Sequence, residues 1–226
     1  MVSMVYKNTV SEELLETAQL LTALPELNSF RMVGGTSIAL QLGHRKSVDI
    51  DLFSNEKVNK SILANVLRKR FPNNEIQMSE HHVQADIKGI RIELYDDWQT
   101  PFRNEPLLTE GLRLASLMDL SAFKLNAITE RREKKDYIDL YFVFNHLGTK
   151  NVLEKFKSYN PLLSPKSILF ALGEVKTAEE NNSVMPKMLQ AITWREVKKS
   201  MFDAAKNFMD MQQKKKTTDQ SFGMNL

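Results

Sequence analysis

Hydrophobic residues recur along the chain with two periods. Residues 11–24 set Leu14, Leu15, Ala18, Leu21 and Leu24 on one helical face, with Ser11 as N-cap and Glu13 and Glu16 in or near the first turn. After Pro25 a short apolar run, 30–33, leads into Gly34-Gly35-Thr36-Ser37, and an apolar stretch over 38–42 begins a second helix. From Ser47 the period drops to two: Val48, Ile50 and Leu52 alternate with Asp49 and Asp51, which predicts a strand with both carboxylates on one face. Residues 61–70 read as a helix ending before Pro72, and 83–95 as two strands joined at Lys88-Gly89. In the second of these, Arg91, Glu93 and Tyr95 share one face and Ile90, Ile92 and Leu94 the other.

Beyond Pro106 the strand signal fades. Residues 116–131 and 136–147 are helical, split by Arg131-Arg132-Glu133-Lys134-Lys135 and stopped at Gly148. Further helices are predicted over 167–178, 186–192 and 194–211, before a polar tail. The pattern predicts an α+β protein: a mixed-sheet domain over 1–106, a mostly helical domain over 107–213 packed on it, and a disordered tail over 214–226.

Composition narrows the function classes. The 226 residues carry 42% hydrophobic and 26% charged side chains, ordinary for a globular fold. With no cysteine there is no disulfide framework, thiolate zinc site or thiol nucleophile, which fits the cytoplasm. The start lacks the pattern of a secretory signal, and no run of about 18 uncharged apolar residues marks a membrane span. A net charge of +3 is too small to announce a nucleic-acid binder, so any contact with RNA must be local. The four histidines form no metal spacing.

Chemistry concentrates between Gly34 and Phe53. Two carboxylates at i and i+2 on a strand repel each other unless a cation sits between them, and all-oxygen donors suit Mg²⁺ or Mn²⁺. Two such ions about 3.5–4 Å apart clamp the attacking and leaving oxygens of a phosphoryl substitution. Gly34 and Gly35 let backbone N–H groups approach a phosphate at a helix start, and the hydroxyl of Thr36 or Ser37 adds a donor. Each feature alone also fits a polar strand face beside an ordinary turn; their order points to a nucleotide and metal site. Lys124 is the other anomaly, because it falls in register with Leu117, Leu120 and Ile128 on a stripe that should face the interior. It is either a buried ammonium that needs anions or a lysine snorkelling from an apolar face. Asp136 and Asp139 follow at the start of the next helix, where they support Lys124, position an acceptor hydroxyl or cap the helix.

These residues carry a family resemblance. Gly34-Gly35-Thr36-Ser37-Ile38-Ala39-Leu40, the turn Gly43-His44-Arg45-Lys46-Ser47 and Asp49-Ile50-Asp51-Leu52-Phe53 resemble the nucleotidyltransferase superfamily and, more closely, the AbiEii/AbiGii toxins. Residues 124–140, with Lys124-Leu125, Ala127-Ile128, Lys135-Asp136 and Asp139-Leu140, resemble that family's second block, and Trp194-Arg195-Glu196-Val197 its closing segment. Thr36 stands where the wider superfamily carries serine, so which hydroxyl meets phosphate stays open. The resemblance implies a nucleotidyltransferase fold, Glu93 as a third metal carboxylate beside Asp49 and Asp51, and an active-site aspartate at Asp136 or Asp139. It also favours Lys124 as a functional ammonium, and Arg45, in the matching turn, as a triphosphate ligand. The implied activity is NMP transfer from a nucleoside triphosphate to a hydroxyl of RNA, a tRNA 3′ end among them, or of protein. The family implies a toxin of a bacterial toxin–antitoxin or phage-defence system with a cognate antitoxin. The rival class is a catalytically degenerate module that binds nucleotide or RNA and regulates a partner.

Overall fold

The computed structural model describes residues 4–161, 163–180 and 184–223, the side chains from 214 onward excepted. The chain divides into two compact units, Met1–Phe123 with Pro186–Ala191, and Lys124–Met185 with Ile192–Leu226. The division lies inside a helix and not at residue 106 as the strand signal had implied, because residues 107–114 return to the sheet. No helix among the described residues is long and apolar enough to cross a membrane.

The first unit is built on seven strands: β1 (Arg31–Met32), β2 (Ile50–Phe53), β3 (Glu75–Met78), β4 (His82–Ile87), β5 (Ile90–Tyr95), β6 (Leu107–Thr109) and β7 (Leu112–Leu114). Their order is β3-β4-β5-β2-β1-β7-β6, with β2 parallel to β5, β1 parallel to β7 and the other pairs antiparallel. Strand alternation sends Ile50, Leu52, Ile92 and Leu94 into the core, where they join Leu14 and Leu21 of α1 (Glu12–Thr22) and Leu63 and Leu67 of α3 (Lys60–Arg70). Ser11 accepts from Leu14 N–H at 3.1 Å and so caps α1 as its sequence predicts. Asp51, Phe53, Glu93 and Tyr95 stand on the opposite, partly open face.

Within the first unit four expectations about its elements need correction. The strand expected from residue 47 begins at Ile50, which leaves Val48 69% exposed and outside the apolar stripe. The glycines do not precede the second helix but form its first turn, α2 (Gly34–Leu42). Residues 107–114, expected to open the helical half, make the hairpin β6–β7 through Glu110 and Gly111, both at positive φ. The helix expected over 186–192 is absent: Leu189 N–H and Gln190 N–H donate to His44 O at 2.9 and 3.1 Å, and Lys46 N–H donates to Lys187 O at 2.8 Å. These long-range bonds take the groups an intrahelical ladder would have used.

The second unit is helical: the second half of α4 (Leu117–Glu130), then α5 (Lys134–Leu147), α6 (Thr149–Tyr159), α7 (Pro165–Gly173), α8 (Thr177–Glu180) and α9 (Trp194–Gly223). The run expected as one helix over 167–178 breaks after Gly173, and α6 is an addition that buries Val152, Leu153, Phe156 and Tyr159. α9 continues through Gly223 where a disordered tail was expected; residues 224–226 lie outside the described residues.

Candidate active site

In the first unit the chemistry is arranged around Asp51. Gly34, the first residue of α2, has φ +68°, and a Cβ placed there would land on Asp51 Oδ2. Only glycine lets the start of the helix lie this close to the carboxylate. The N-cap residue, Val33, supplies no side-chain hydrogen bond to α2, while its own N–H donates to Asp51 O at 2.8 Å. The first-turn amides therefore present partial positive charge without a side-chain cap.

Thr36 is buried and serves the framework. Its hydroxyl lies 2.5 Å from Asp49 O and 2.7 Å from Ser47 Oγ, fastening the first turn of α2 to the segment that leads into β2. Ser37 is fully buried, and Gln41 Nε2 donates to its O and Oγ at 3.2 and 3.3 Å. Neither hydroxyl is displayed to solvent, so the donors left for an anion are the backbone groups at Gly34 and Gly35. Arg45 is 5% exposed, with Nη1 donating to its neighbour Lys46 O at 3.0 Å; it is built into its own turn.

Register makes Asp51 and Glu93 direct partners across the parallel β2–β5 pair. Asp49 lies just before β2, and Arg91 Nε stands 3.7 Å from both Asp49 Oδ1 and Glu93 Oε1. The acidic face thus already holds one cationic group. Burial, then the charges of Glu93 and Asp51, push the Tyr95 phenol above its ordinary value. Among the described residues no three His, Cys, Asp or Glu side chains form a ready metal cluster. The donors do fit a hard divalent cation in kind, being carboxylate oxygens on one face with a guanidinium standing in for positive charge. Arg91 was legible as a neighbour of Glu93 from the alternation of β5; its place between two carboxylates was not, since that depends on β2–β5 pairing.

Past the acids the same face turns aromatic. Phe53 follows Asp51 by two residues and Tyr95 follows Glu93 by two, so strand geometry sets both rings beside the carboxylates. Trp98 lies against Phe53 with ring centroids 4.2 Å apart, and Phe123 and Phe102 extend the group.

In the second unit Lys124 is 6% exposed and finds its anions in Asp136 and Asp139, both fully buried. Its Nζ lies 2.6 Å from Asp136 Oδ1 and 2.8 Å from Asp139 Oδ2, and Arg131 Nε donates to Asp136 Oδ2 at 2.9 Å. Of the roles open to Asp136 from sequence, the geometry shows support of Lys124; Glu133 holds the cap position of α5. Burial pushes the Asp136 carboxyl up, but Lys124 and Arg131 more than reverse this and hold it below the usual aspartate range. Two acids and two bases leave the group near neutrality, which is how four charges persist there.

Comparison with known proteins gives the family and the fold. Over residues 18–214 the chain matches the family described as Nucleotidyl transferase AbiEii toxin, Type IV TA system. An uncharacterized protein of Aquifex aeolicus (strain VF5) is 24% identical over 173 residues, 71% of this chain and 82% of that protein. The crystal structure of JHP933 from Helicobacter pylori superposes with a TM-score of 0.53 at 17% identity, covering 95% of this chain and 99% of that one. That of ANT(2")-Ia in complex with adenylyl-2"-tobramycin gives 0.51 at 17% identity, covering 66% and 96%. With a mixed sheet that carries Asp51 opposite Glu93 under a glycine-led helix, and a family match across most of its length, the chain belongs to the AbiEii nucleotidyltransferases.

Proposed function

We propose that the protein transfers an NMP from a nucleoside triphosphate to a hydroxyl of an RNA or protein acceptor, and that it is the toxin of a two-component toxin–antitoxin pair. The observation that carries this reading is the contact of Gly34 with Asp51: a helix start bare of side-chain caps lies against a carboxylate on the open sheet face. The backbone N–H groups at Gly34 and Gly35 take phosphate oxygens, while Thr36 keeps that turn rigid through Asp49 O and Ser47. Asp49, Asp51 and Glu93 are the residues that hold Mg²⁺ or Mn²⁺, with Arg91 giving way to it. When bound, the metal supplies charge neutralisation at the α-phosphate and the leaving pyrophosphate.

In the helical unit the proposal assigns Lys124 as an anion-binding ammonium, held by Asp136 and Asp139. Asp136 stays ionised and acts by positioning Lys124, with Asp139 as the second carboxylate that holds the ammonium. Arg45, locked in its turn, shapes the approach to β2.

Purified protein with Mg²⁺ and each labelled triphosphate is expected to label total RNA or protein, and Asp49→Asn with Asp51→Asn to abolish the label. Nuclease digestion then separates the acceptors. Equal labelling by wild type and double variant would remove the mechanism. Growth arrest on induction tests the toxin role separately, and normal growth would end it.

A further inference from the structure

The aromatic group beside the acids lies outside the main buried cluster of the first unit. The buried cluster that β2 and β5 share with α1 and α3 consists of aliphatic residues and Met32 with Phe30 and, at its margin, Phe71, and holds none of Phe53, Tyr95, Trp98, Phe102 or Phe123. Phe53, Tyr95, Trp98, Phe102 and Phe123 are each only partly buried. A protein that needed to cover a sheet face for stability would bury such rings fully, since the gain follows the area removed from water.

Their backbone, in contrast, is firmly held. The Asn55 side-chain amide donates to Trp98 O at 2.6 Å and Thr100 O at 3.1 Å, and its Oδ1 accepts Phe102 N–H at 2.8 Å. Trp98 N–H donates to Ser54 O at 2.8 Å. One asparagine thus pins the loop that presents two of the rings. The rings meet one another and a guanidinium, and His82 stacks on Tyr95 at 4.8 Å. Phe53 and Trp98 are tilted at 37°, Phe53 and Tyr95 meet edge to face at 5.2 Å, and the Arg31 guanidinium sits 4.5 Å over Phe102. Trp98 Nε1 is buried without an acceptor, so no hydrogen bond fixes the indole's orientation.

A fixed backbone carrying partly open rings, with a guanidinium at one end and carboxylates at the other, is a stacking platform. Flat ligands of every base type stack on such rings without sequence preference, and arginine adds a cation–π contribution. We infer that this aromatic group is a nucleobase-binding subsite of the first unit, set beside Asp51 and Glu93. The inference rests on the nucleotide-transfer reading above and deepens it. The base belongs either to the incoming nucleotide or to the terminal residue of a nucleic-acid acceptor, and the chemistry of recognition is the same.

The chain has two tryptophans, so Trp194→Phe leaves Trp98 as the sole indole reporter. Indole emission is followed while that protein is titrated with nucleoside triphosphates, with ribose 5-triphosphate, and with a short single-stranded RNA bearing or lacking its terminal base. The expected result is quenching that requires the base, and affinity about tenfold weaker by calorimetry in Phe102→Leu and in Trp98→Leu proteins whose melting is unchanged. Quenching by triphosphates assigns the subsite to the incoming nucleotide, and quenching by RNA alone assigns it to the acceptor. No quenching from either ligand, or equal quenching by the base-free forms, overturns the inference. Loss of transfer activity with base-dependent quenching retained would count against the reaction and leave the subsite standing; transfer without such quenching would do the reverse.

Discussion

At Gly34 one missing methyl group decides where a carboxylate sits. A side chain there would strain the backbone at φ +68° and drive its Cβ into Asp51. Gly34→Ala should therefore cost roughly 1–2 kcal/mol in denaturant unfolding and depress transfer more than stability, because the displaced atom belongs to Asp51. Activity retained in a protein destabilised by that amount would show the contact to be structural only. Lys124 makes the complementary case. Lys124→Met leaves Asp136 with Arg131 alone and takes the ammonium from Asp139, a change of about 3–5 kcal/mol for a broken buried pair. The pH dependence has a definite sign. Asp136 titrates lower folded than unfolded, so its contribution is complete above the ordinary aspartate range and lost as pH falls through the folded value. The acid limb of a wild-type stability profile should flatten in the variant, and an unchanged acid limb would remove Asp136 from that limb.

Elements with a clear period were legible, and those held by distant partners were not. The helix after Ser11, the hairpin over β4 and β5 and the stop of α5 at Gly148 follow from residue spacing, because capping and alternation are local. The β6–β7 hairpin has three residues per strand, too few to show a period. Its place is set from outside, by β1 pairing through Met32 and Leu114 and by Arg113 donating to Leu27 O and Phe30 O. The same holds at the site: Asp49 and Asp51 announced themselves by their spacing, whereas Arg91 between Asp49 and Glu93 depends on which strands are neighbours. Asn55, in a stretch without apparent motif, organises the 98–102 loop only through bonds more than forty residues away in sequence. Residues 186–191 give a direct test of such non-local control. Leu189→Pro removes the donor to His44 O yet suits an extended segment, so it should cost about 1 kcal/mol. Amide exchange should rise at Arg45 and Lys46 while β4 and β5 stay protected. Faster exchange throughout the sheet would mean that this strap stabilises the whole unit.

For the molecule as a whole, the balance of charge on the open sheet face should be the main control on ligand-linked stability. Asp49, Asp51 and Glu93 crowd a single face with Arg91 as their near cation, and Arg91 is half exposed at 52% of its side chain. A contact at 3.7 Å by an exposed guanidinium is weak, on the order of 1 kcal/mol or less. A divalent ion that meets those oxygens directly should displace it. Binding to the folded state alone adds about 2.7 kcal/mol at a hundredfold excess over Kd. For a chain of this size that corresponds to a rise in Tm of roughly 5–10 °C. Mg²⁺ or Mn²⁺ should therefore raise the melting temperature of the wild type without any nucleotide present, and leave Asp49→Asn with Asp51→Asn unmoved. Arg91→Gln sharpens the test, since removing the competing cation should lower the metal concentration needed for half the shift while the unliganded protein melts slightly earlier from unrelieved carboxylate repulsion. A metal-induced shift as large in the double variant as in the wild type would place the ion elsewhere, and a weaker metal response in Arg91→Gln would make Arg91 a partner of the ion and not its stand-in.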